Sequence, residues 1–450
     1  MTATATDRPG ATFPRGVHPP EHKELSKDAA VEVLPAPARV TLPLIQHLGA
    51  PAKLTVQPKQ DVALGDVIAE AGGFISAAVH ATITGKTAKP TKVTLPNGRH
   101  VPAVPIAAGD AEPLDGEALR ADVFGGDWPT DPAAYEPKQI AEAVSNAGIV
   151  GLGGAAFPTH VKLLQNDKKP IDTLLVNGCE CEPYLTADYR LMVEHPEPIV
   201  TGALLAAHAN GAERILVAIE DNKPEAIEAI RKAAGGTEIE VAVVRTKYPQ
   251  GGEKQAILAI TGREVPTGGL PLDVGVVVVN VGTAAAIARA VVRGKPLTHR
   301  IVTVTGAGIA RPKNLLVPIG VPYAELIEFC GGLTADAVRV IAGGPMMGFA
   351  IGDLSAPVTK GTSGVTVLTA DDVRRASETA CVRCGRCVDV CPLNLVPTRI
   401  ALAAKHQDWD LARKYHIQAC MECGCCAYTC PASLPLVQLI RMGKAQLPKE

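Results

Sequence analysis

The stretch Ile171–Arg190, IDTLLVNGCECEPYLTADYR, decides how the middle of this chain folds. It reads as an apolar strand that ends at Asn177 and is followed by Glu180, Glu182 and Asp188. Upstream, QIAEAVSNAG (139–148) has helical spacing and leads into a glycine-rich loop. Downstream come ERILVAIED (213–221), KPEAIEAIRKAAGG (223–236), IEVAVVRTKYP (239–249) and EKQAILAITG (253–262). Strands that alternate with helical patterns imply βαβ units and a parallel sheet, so residues 130–295 are expected to form an α/β domain. Loops at the carboxyl ends of such strands are where these sheets bind ligands.

Outward from this domain the pattern changes. Residues 1–35 are rich in proline, glycine and charge and read as an extended N-terminal arm. Residues 36–110 hold short β-branched runs cut by Gly, Asp and Pro, the signature of a small all-β module. Residues 296–368 return to short strands around one helix, YAELIEFCGG (323–332). Residues 372–440 are cysteine-rich and helical between the cysteines. At 450 residues the chain has length for several cores, and the fold class is multidomain α/β.

Composition narrows the function. A net charge of −2 lacks the basic footprint of a nucleic-acid binder. The N-terminus MTATATDRPG has no apolar core of a signal peptide. The most apolar stretch, DVGVVVVNVGTAAAIARAVV (273–292), is broken by Asn280, Thr283 and Arg289. It reads as a buried strand and helix rather than a membrane span, so the chain itself is expected to be soluble. Nine of the twelve cysteines fall between Cys381 and Cys430, a clustering that points to metal and a reducing compartment rather than disulfides.

Two runs carry those cysteines, CVRCGRCVDVCP (381–392) and CMECGCCAYTCP (420–431). Both contain C-x2-C-x2-C-x3-C-P once Cys425 is set aside, and Arg386 stands at its place in the first copy. This is the bacterial ferredoxin spacing, in which the fourth cysteine ligates the other cluster. One [4Fe-4S] cluster is therefore assigned to Cys381, Cys384, Cys387 and Cys430, the second to Cys420, Cys423, Cys426 and Cys391. The two complete repeats with trailing prolines weigh against a pair of zinc sites, which C-x2-C pairs also build. Cys425 is left as a buried thiol.

The glycine loop NAGIVGLGGAAFPTHVKL (146–163) sets Gly151, Gly153 and Gly154 ahead of the strand. By itself G-x-G-G is equally a tight turn, and Ala156 breaks the dinucleotide fingerprint. Beside the strand ending at Asn177, these glycines would let a flat ring or phosphate approach the backbone. The loop amides and Lys162 would meet phosphate charge.

Here a resemblance becomes specific. GLGGAAFPTHVK, NGCECEP, KYPQGGEKQ (247–255) and VVNVGT (278–283) look like the flavin- and NADH-binding subunit of respiratory complex I. In that family these segments cradle FMN and stack NADH over it. The resemblance implies such roles for Gly151, Gly153, Gly154, Phe157 and Lys162 in the loop, and for Asn177 and Glu180 after the strand. It extends them to Tyr248, Glu253, Asn280 and Thr283 further on. Leu152, Cys179 and Gly252 depart from that pattern, replacing an arginine, an acid and a glutamate.

Over essentially the whole chain the sequence resembles the RnfC family, a component of the Rnf ion-translocating electron transport complex. GVHPPEHKELS (16–26), PLIQHLGAP (43–51), GFISAAVHA (73–81), VTVTGAG (302–308), IAGGPMMG (341–348) and the paired cysteine runs stand in that family's order. The family implies a barrel-sandwich module, an FMN/NADH domain, a β-grasp SLBB domain and a two-cluster ferredoxin-type domain. His18 and His22 read as turn-packing residues rather than metal ligands, Lys86 as a plain hairpin lysine, and Cys179 and Cys181 as buried small residues.

A hydride brings two electrons and each cluster takes one, so a flavin must stand between NAD(H) and the clusters. The expected function is a peripheral NADH/FMN/iron–sulfur subunit on the cytoplasmic face of the cell membrane. Its expected partners are membrane subunits and a ferredoxin-like subunit. A soluble microcompartment-type cobalamin reductase and a relay with a decayed nucleotide site are the competing readings.

Overall fold

In the computed structural model, which describes residues 10–447 except 111, 115, 167 and 374–376, the central domain is a four-stranded parallel sheet. The first nine residues of the arm lie outside the described residues. Across the sheet the order is Ile239–Val244, Arg214–Glu220, Thr173–Asn177, Val276–Asn280. Successive residues of one strand go to opposite faces. Leu174 and Val176 join the core beneath helices Pro137–Asn146, Pro196–Asn210 and Val281–Arg293, whereas Leu175 packs toward helix Glu253–Thr261. Burial on both faces explains why these strands are apolar throughout instead of alternating.

Helices Pro196–Asn210 and Val281–Arg293 meet backbone to backbone. A Cβ placed on Gly202 would lie 1.7 Å from the Ala284 carbonyl oxygen.

The N-terminal module is a pair of small antiparallel sheets. One holds Arg39–Pro43, His100–Ala108, Gly85–Thr87 and Asp61–Val62, with Thr91–Thr94 beside His100–Ala108; the other holds Lys53–Leu54, Val67–Glu70 and Val79–His80. Val40, Leu42, Ile68 and Ile106 form an interior that runs on into the α/β core. The third module is a six-stranded mixed sheet around helix Tyr323–Phe329, with Val302, Val304, Leu315, Val317 and Leu326 inside. Its edge strand comes from the arm: Val31–Val33 runs parallel to Lys313–Pro318.

Lys360 ties three modules at one point. Its ammonium donates to the carbonyls of Ala78 and Gly148, 2.6 Å each, from a fully enclosed position. Burial pulls it down to about 7.

The C-terminal domain packs helices Pro397–Lys405 and Leu436–Gln446 together, and both cysteine runs repeat one backbone path. Arg383 and Glu422 take left-handed φ of 56° and 61°, Gly385 and Gly424 of 79° and 85°, and a one-turn helix follows each glycine.

Gly202→Ala is expected to force the two helices apart and cost about 1–3 kcal/mol or more. Denaturant unfolding checks this, and an unchanged midpoint would mean that the helices are not in backbone contact.

Candidate functional site

Thr173–Asn177 leads on to Arg214–Glu220 at one side, whereas its neighbour on the other side, Val276–Asn280, is reached only after Ile239–Val244. The strand order reverses between them, and such a switch point leaves a crevice outside the carboxyl ends. Asn177 and Asn280 are register partners there, so two amide side chains end the two strands side by side.

Each amide reaches outward to a loop. Asn177 Nδ2 donates to the Gly251 carbonyl at 2.8 Å, and its Oδ1 accepts from Cys179 N at 3.1 Å. Asn280 Oδ1 caps helix Val281–Arg293 by accepting from Gly282 N and Thr283 N at 2.8 and 3.3 Å. Its Nδ2 donates to Asp188 at 2.6 Å.

The glycine loop closes on itself through Gly151 N to the Phe157 carbonyl, 2.8 Å. Leu152 turns inward, and its N–H donates to Thr283 Oγ1 at 2.9 Å. This leaves Gly153 and Gly154 exposed at the tip. A Cβ on Gly153 would stand 3.4 Å from Asn280, while one on Gly154 would project into open space at a φ of 110°. Lys162 donates to Glu253 at 3.0 Å and to the Val278 carbonyl at 2.8 Å, which holds a cation at the end of the Val276–Asn280 strand.

Glu180 has a left-handed φ of 45°, unusual for a residue other than glycine. Its carboxyl accepts from Asp188 N and Tyr189 N at 2.7 and 3.1 Å, capping helix Ala187–Glu194. Enclosure pushes it up to about 7; the Lys23 ammonium opposes that push and Asp188 adds to it.

Gly151, Gly153, Gly154, Lys162, Asn177, Glu180, Glu253, Asn280 and Thr283 thus come together around the crevice. Phe157 meets the loop through its carbonyl and is half-buried. Tyr248 takes another direction. Its ring is buried, and its hydroxyl donates to the Cys423 carbonyl at 2.6 Å.

Cys423 belongs to a second feature. Cys391, Cys420, Cys423 and Cys426 line one small apolar cavity with Leu393, Leu395, Ile400, Val437 and Ile440. Cys391 comes from the first run and the other three from the second. Burial pushes the Cys426 thiol up, and the neighbouring Cys423, Cys420 and Cys391 add to the push. Cys425 also borders this cavity, but its sulfur lies 4.0 Å from the Tyr248 carbonyl.

Of the remaining four, Cys387 and Cys430 are buried in the domain core, Cys381 is half-buried and Cys384 exposed. Cys381 Sγ accepts from Arg383 N at 3.4 Å, as Cys420 Sγ does from Glu422 N. Among the described residues no three His, Cys, Asp or Glu side chains converge closely enough for a single metal ion.

The minor candidates have local partners. Cys181 Sγ accepts from Gly251 N at 3.3 Å, and Cys179 lies 3.9 Å from the Ala218 carbonyl. His22 stacks on Tyr184 at 4.7 Å, His18 is exposed, and Lys86 pairs with Asp61 at 3.4 Å. Sequence reasoning gave no role to Lys23, and Asp188 was noted only as an acid after the strand. A lysine inside a segment named for its family likeness was the available signal.

Comparison with known proteins matches this layout part by part. Residues 11–111 match the RnfC barrel sandwich hybrid domain, 144–289 the Nuo51 FMN-binding domain, 301–350 the SLBB domain and 380–434 the 4Fe-4S dicluster domain. The C component of the Na(+)-translocating ferredoxin:NAD(+) oxidoreductase complex of Acetobacterium woodii is 43% identical across 97% of both chains. The chain belongs to the RnfC family of ion-translocating oxidoreductase complexes.

The corresponding component of the proton-translocating complex from Clostridium ljungdahlii is 43% identical over 90% of this chain and 86% of that one. Its counterpart in the Rhodobacter capsulatus ion-translocating oxidoreductase complex is 45% identical over 96% and 82%. Among solved structures, an NAD+-reducing [NiFe]-hydrogenase in its H2-reduced state covers 72% of this chain and 64% of its own at 22% identity. Its TM-score is 0.49. In this RnfC-family chain the FMN-binding match spans both sides of the switch point, from the glycine loop to helix Val281–Arg293.

Asn280→Ala removes the cap of that helix and the partner of Asp188, and is expected to cost about 1–2 kcal/mol. Asn280→Ser, which keeps a capping oxygen, is expected to recover most of it. Equal unfolding midpoints for wild type and Asn280→Ala would overturn this account of the crevice wall.

Proposed function

We propose that this chain is the NAD(H)-side electron-transfer subunit of an ion-translocating ferredoxin:NAD+ oxidoreductase, with FMN in the switch-point crevice and two [4Fe-4S] clusters beyond it. One observation carries the reading. The loop that walls the crevice is bonded through Tyr248 to the main chain of Cys423, so crevice and cysteine cavity share a wall.

The residues present fit such groups. Gly153 lies against Asn280 and Gly154 faces open space at a φ of 110°, so the loop backbone is bare on the side where a ring would approach. Lys162 supplies a cation and Asn177 an amide, a donor set suited to a planar ring carrying a phosphate. Bound FMN would accept the electron pair of a nicotinamide hydride and release it singly, as one-electron clusters require.

Gly151, Gly153 and Gly154 would admit the ring, with Phe157 and Glu253 on the side where NADH stacks. Thr283 and Asn280 would keep the helix start rigid beneath it, and Glu180 would border it. Cys391, Cys420, Cys423 and Cys426 would hold the nearer cluster, and Cys381, Cys384, Cys387 and Cys430 the other.

The chain's expected place is peripheral, on the cytoplasmic face, docked on membrane subunits and a ferredoxin-like subunit. No helix among the described residues is long and apolar enough to cross a membrane, so ion movement is assigned to other subunits. The relatives named for protons and for sodium are each 43% identical to this chain, which supports placing ion choice elsewhere. Family membership over nearly the full length favours this reading over a soluble cobalamin reductase.

Anaerobic purification with FMN supplied is expected to give about eight irons and eight sulfides per chain. NADH is expected to bleach the flavin. Cys425→Ser is expected to keep all the iron, whereas Cys426→Ser loses about four irons. A flavin that NADH leaves unbleached, or a full iron count in Cys426→Ser, would count against the proposal.

A further inference from the structure

We infer that Lys23 is a positioning residue for the crevice, delivered by a strap of residues 13–26 that fixes the Glu180–Leu185 loop. The inference rests on the flavin reading above. This strap is the segment whose family likeness had no function attached to it.

Its course is continuous. Arg15 Nη1 donates to the Val388 carbonyl at 2.6 Å and Gly16 N to the Val390 carbonyl at 3.1 Å, both in the cysteine domain. Val17 and Tyr248 then exchange N–H to carbonyl bonds of 2.9 Å in both directions. Tyr184 N donates to the Glu21 carbonyl at 2.7 Å. Ser26 meets Thr186 at 2.8 Å, and its carbonyl accepts from Asn314 Nδ2 at 2.9 Å in the β-grasp sheet. Three domains are thus laced along one edge of the crevice.

At the centre of the strap Lys23, 8% exposed, points its ammonium under the acidic loop. It donates to the carbonyls of Glu180, Glu182 and Leu185 at 2.8, 3.1 and 2.6 Å, which uses all three of its protons. Those carbonyls hold the loop in the shape that gives Glu180 its left-handed backbone. Burying an ammonium is costly, and neutral donors could have pinned the same carbonyls. What a neutral donor cannot supply is the charge.

Lys23 faces Glu180, with Glu220, Lys223 and Cys181 around it. Glu180 in turn faces Lys23, Asp188 and Lys223. The strap therefore sets both the place and the protonation of Glu180, the acid whose main chain and carboxylate Lys23 meets. The sign is fixed: Lys23 favours the charged carboxylate, so without it Glu180 releases its proton at higher pH.

The test uses the full cluster-loaded chain stripped of flavin. FMN affinity is followed by flavin fluorescence quenching from about pH 5.5 to pH 9, a span that includes the phosphate's own titration near pH 6. Wild type is expected to show a second inflection near pH 7 that Glu180→Gln lacks. Lys23→Gln removes the charge and leaves a neutral amide with two donors where the ammonium had three. It is expected to move that inflection up by about one pH unit or more, and Lys23→Arg to move it back.

A folded Lys23→Gln chain with the wild-type profile overturns the inference, as does a wild-type profile identical to that of Glu180→Gln. If wild type binds no FMN at any pH, the flavin reading itself falls and takes this one with it. A merely structural lysine would alter stability and leave the inflection where it is.

Discussion

The parallel pairing of Thr173–Asn177 with Val276–Asn280 is the contact on which the rest of the molecule depends. Because the chain runs from Thr173–Asn177 to Arg214–Glu220 and Ile239–Val244 on one side before it returns to Val276–Asn280 on the other, the strand order reverses here and a crevice is left outside the carboxyl ends of the pair. The residues that end them are asparagines in register, with carboxamides that must find partners beyond the sheet. One finds Gly251, the other Asp188 and the helix start. Two loops distant in sequence are thereby turned toward one crevice, and the glycine loop is seated above them through Leu152 and Thr283. A single choice of strand order gathers the site.

Much of this was readable beforehand, for physical reasons. The four strands announced themselves because burial on both faces leaves no polar alternation. The cysteine spacing grouped Cys391 with Cys420, Cys423 and Cys426, and these four line one cavity that Cys425 also borders. Other features were hidden. Tyr248 was expected at the crevice, yet its hydroxyl turns toward Cys423, and side-chain direction leaves no trace in spacing. Lys23 sits among proline, histidine and glutamate and reads as a solvated charge. Its burial is created by carbonyls about 160 residues away in the chain. Val31–Val33 looks like part of a tail and becomes a strand only because the Lys313–Pro318 edge stands open.

The cysteine domain shows how packing breaks the symmetry of a repeated sequence. Both runs follow one path, down to the paired left-handed residues. A Cβ on Gly424 would strike the Met346 carbonyl at 2.7 Å, whereas one on Gly385 would meet nothing within 4 Å. The second run is pressed against the β-grasp loop and the first faces outward, which leaves Cys384 exposed. Potentials of iron–sulfur groups respond to burial and to hydrogen bonds at sulfur. Were the two sets of four cysteines to hold clusters as proposed above, these unlike surroundings would give them different potentials.

The floor of the crevice carries an unusual load of acids. Glu180, Glu182, Asp188 and Glu220 lie close together, and burial raises each of them. Their amide and lysine partners explain how they persist. Glu182 accepts from Met346 N and Met347 N at 2.7 and 3.1 Å, Glu220 pairs with Lys223 at 2.9 Å, and Glu180 caps a helix. These three therefore fasten different elements, the β-grasp loop, the turn before helix Pro224–Ala233 and helix Ala187–Glu194, while Asp188 accepts from Asn280 Nδ2 at 2.6 Å. An acidic floor would nonetheless repel a phosphate, and the cations are placed accordingly. Lys162 stands at the glycine-loop end, where an anion can approach, and Lys23 beneath the acids, where none can. The polarity of the crevice is thus graded along its length, with a cation at the glycine-loop end and buried acids at the other.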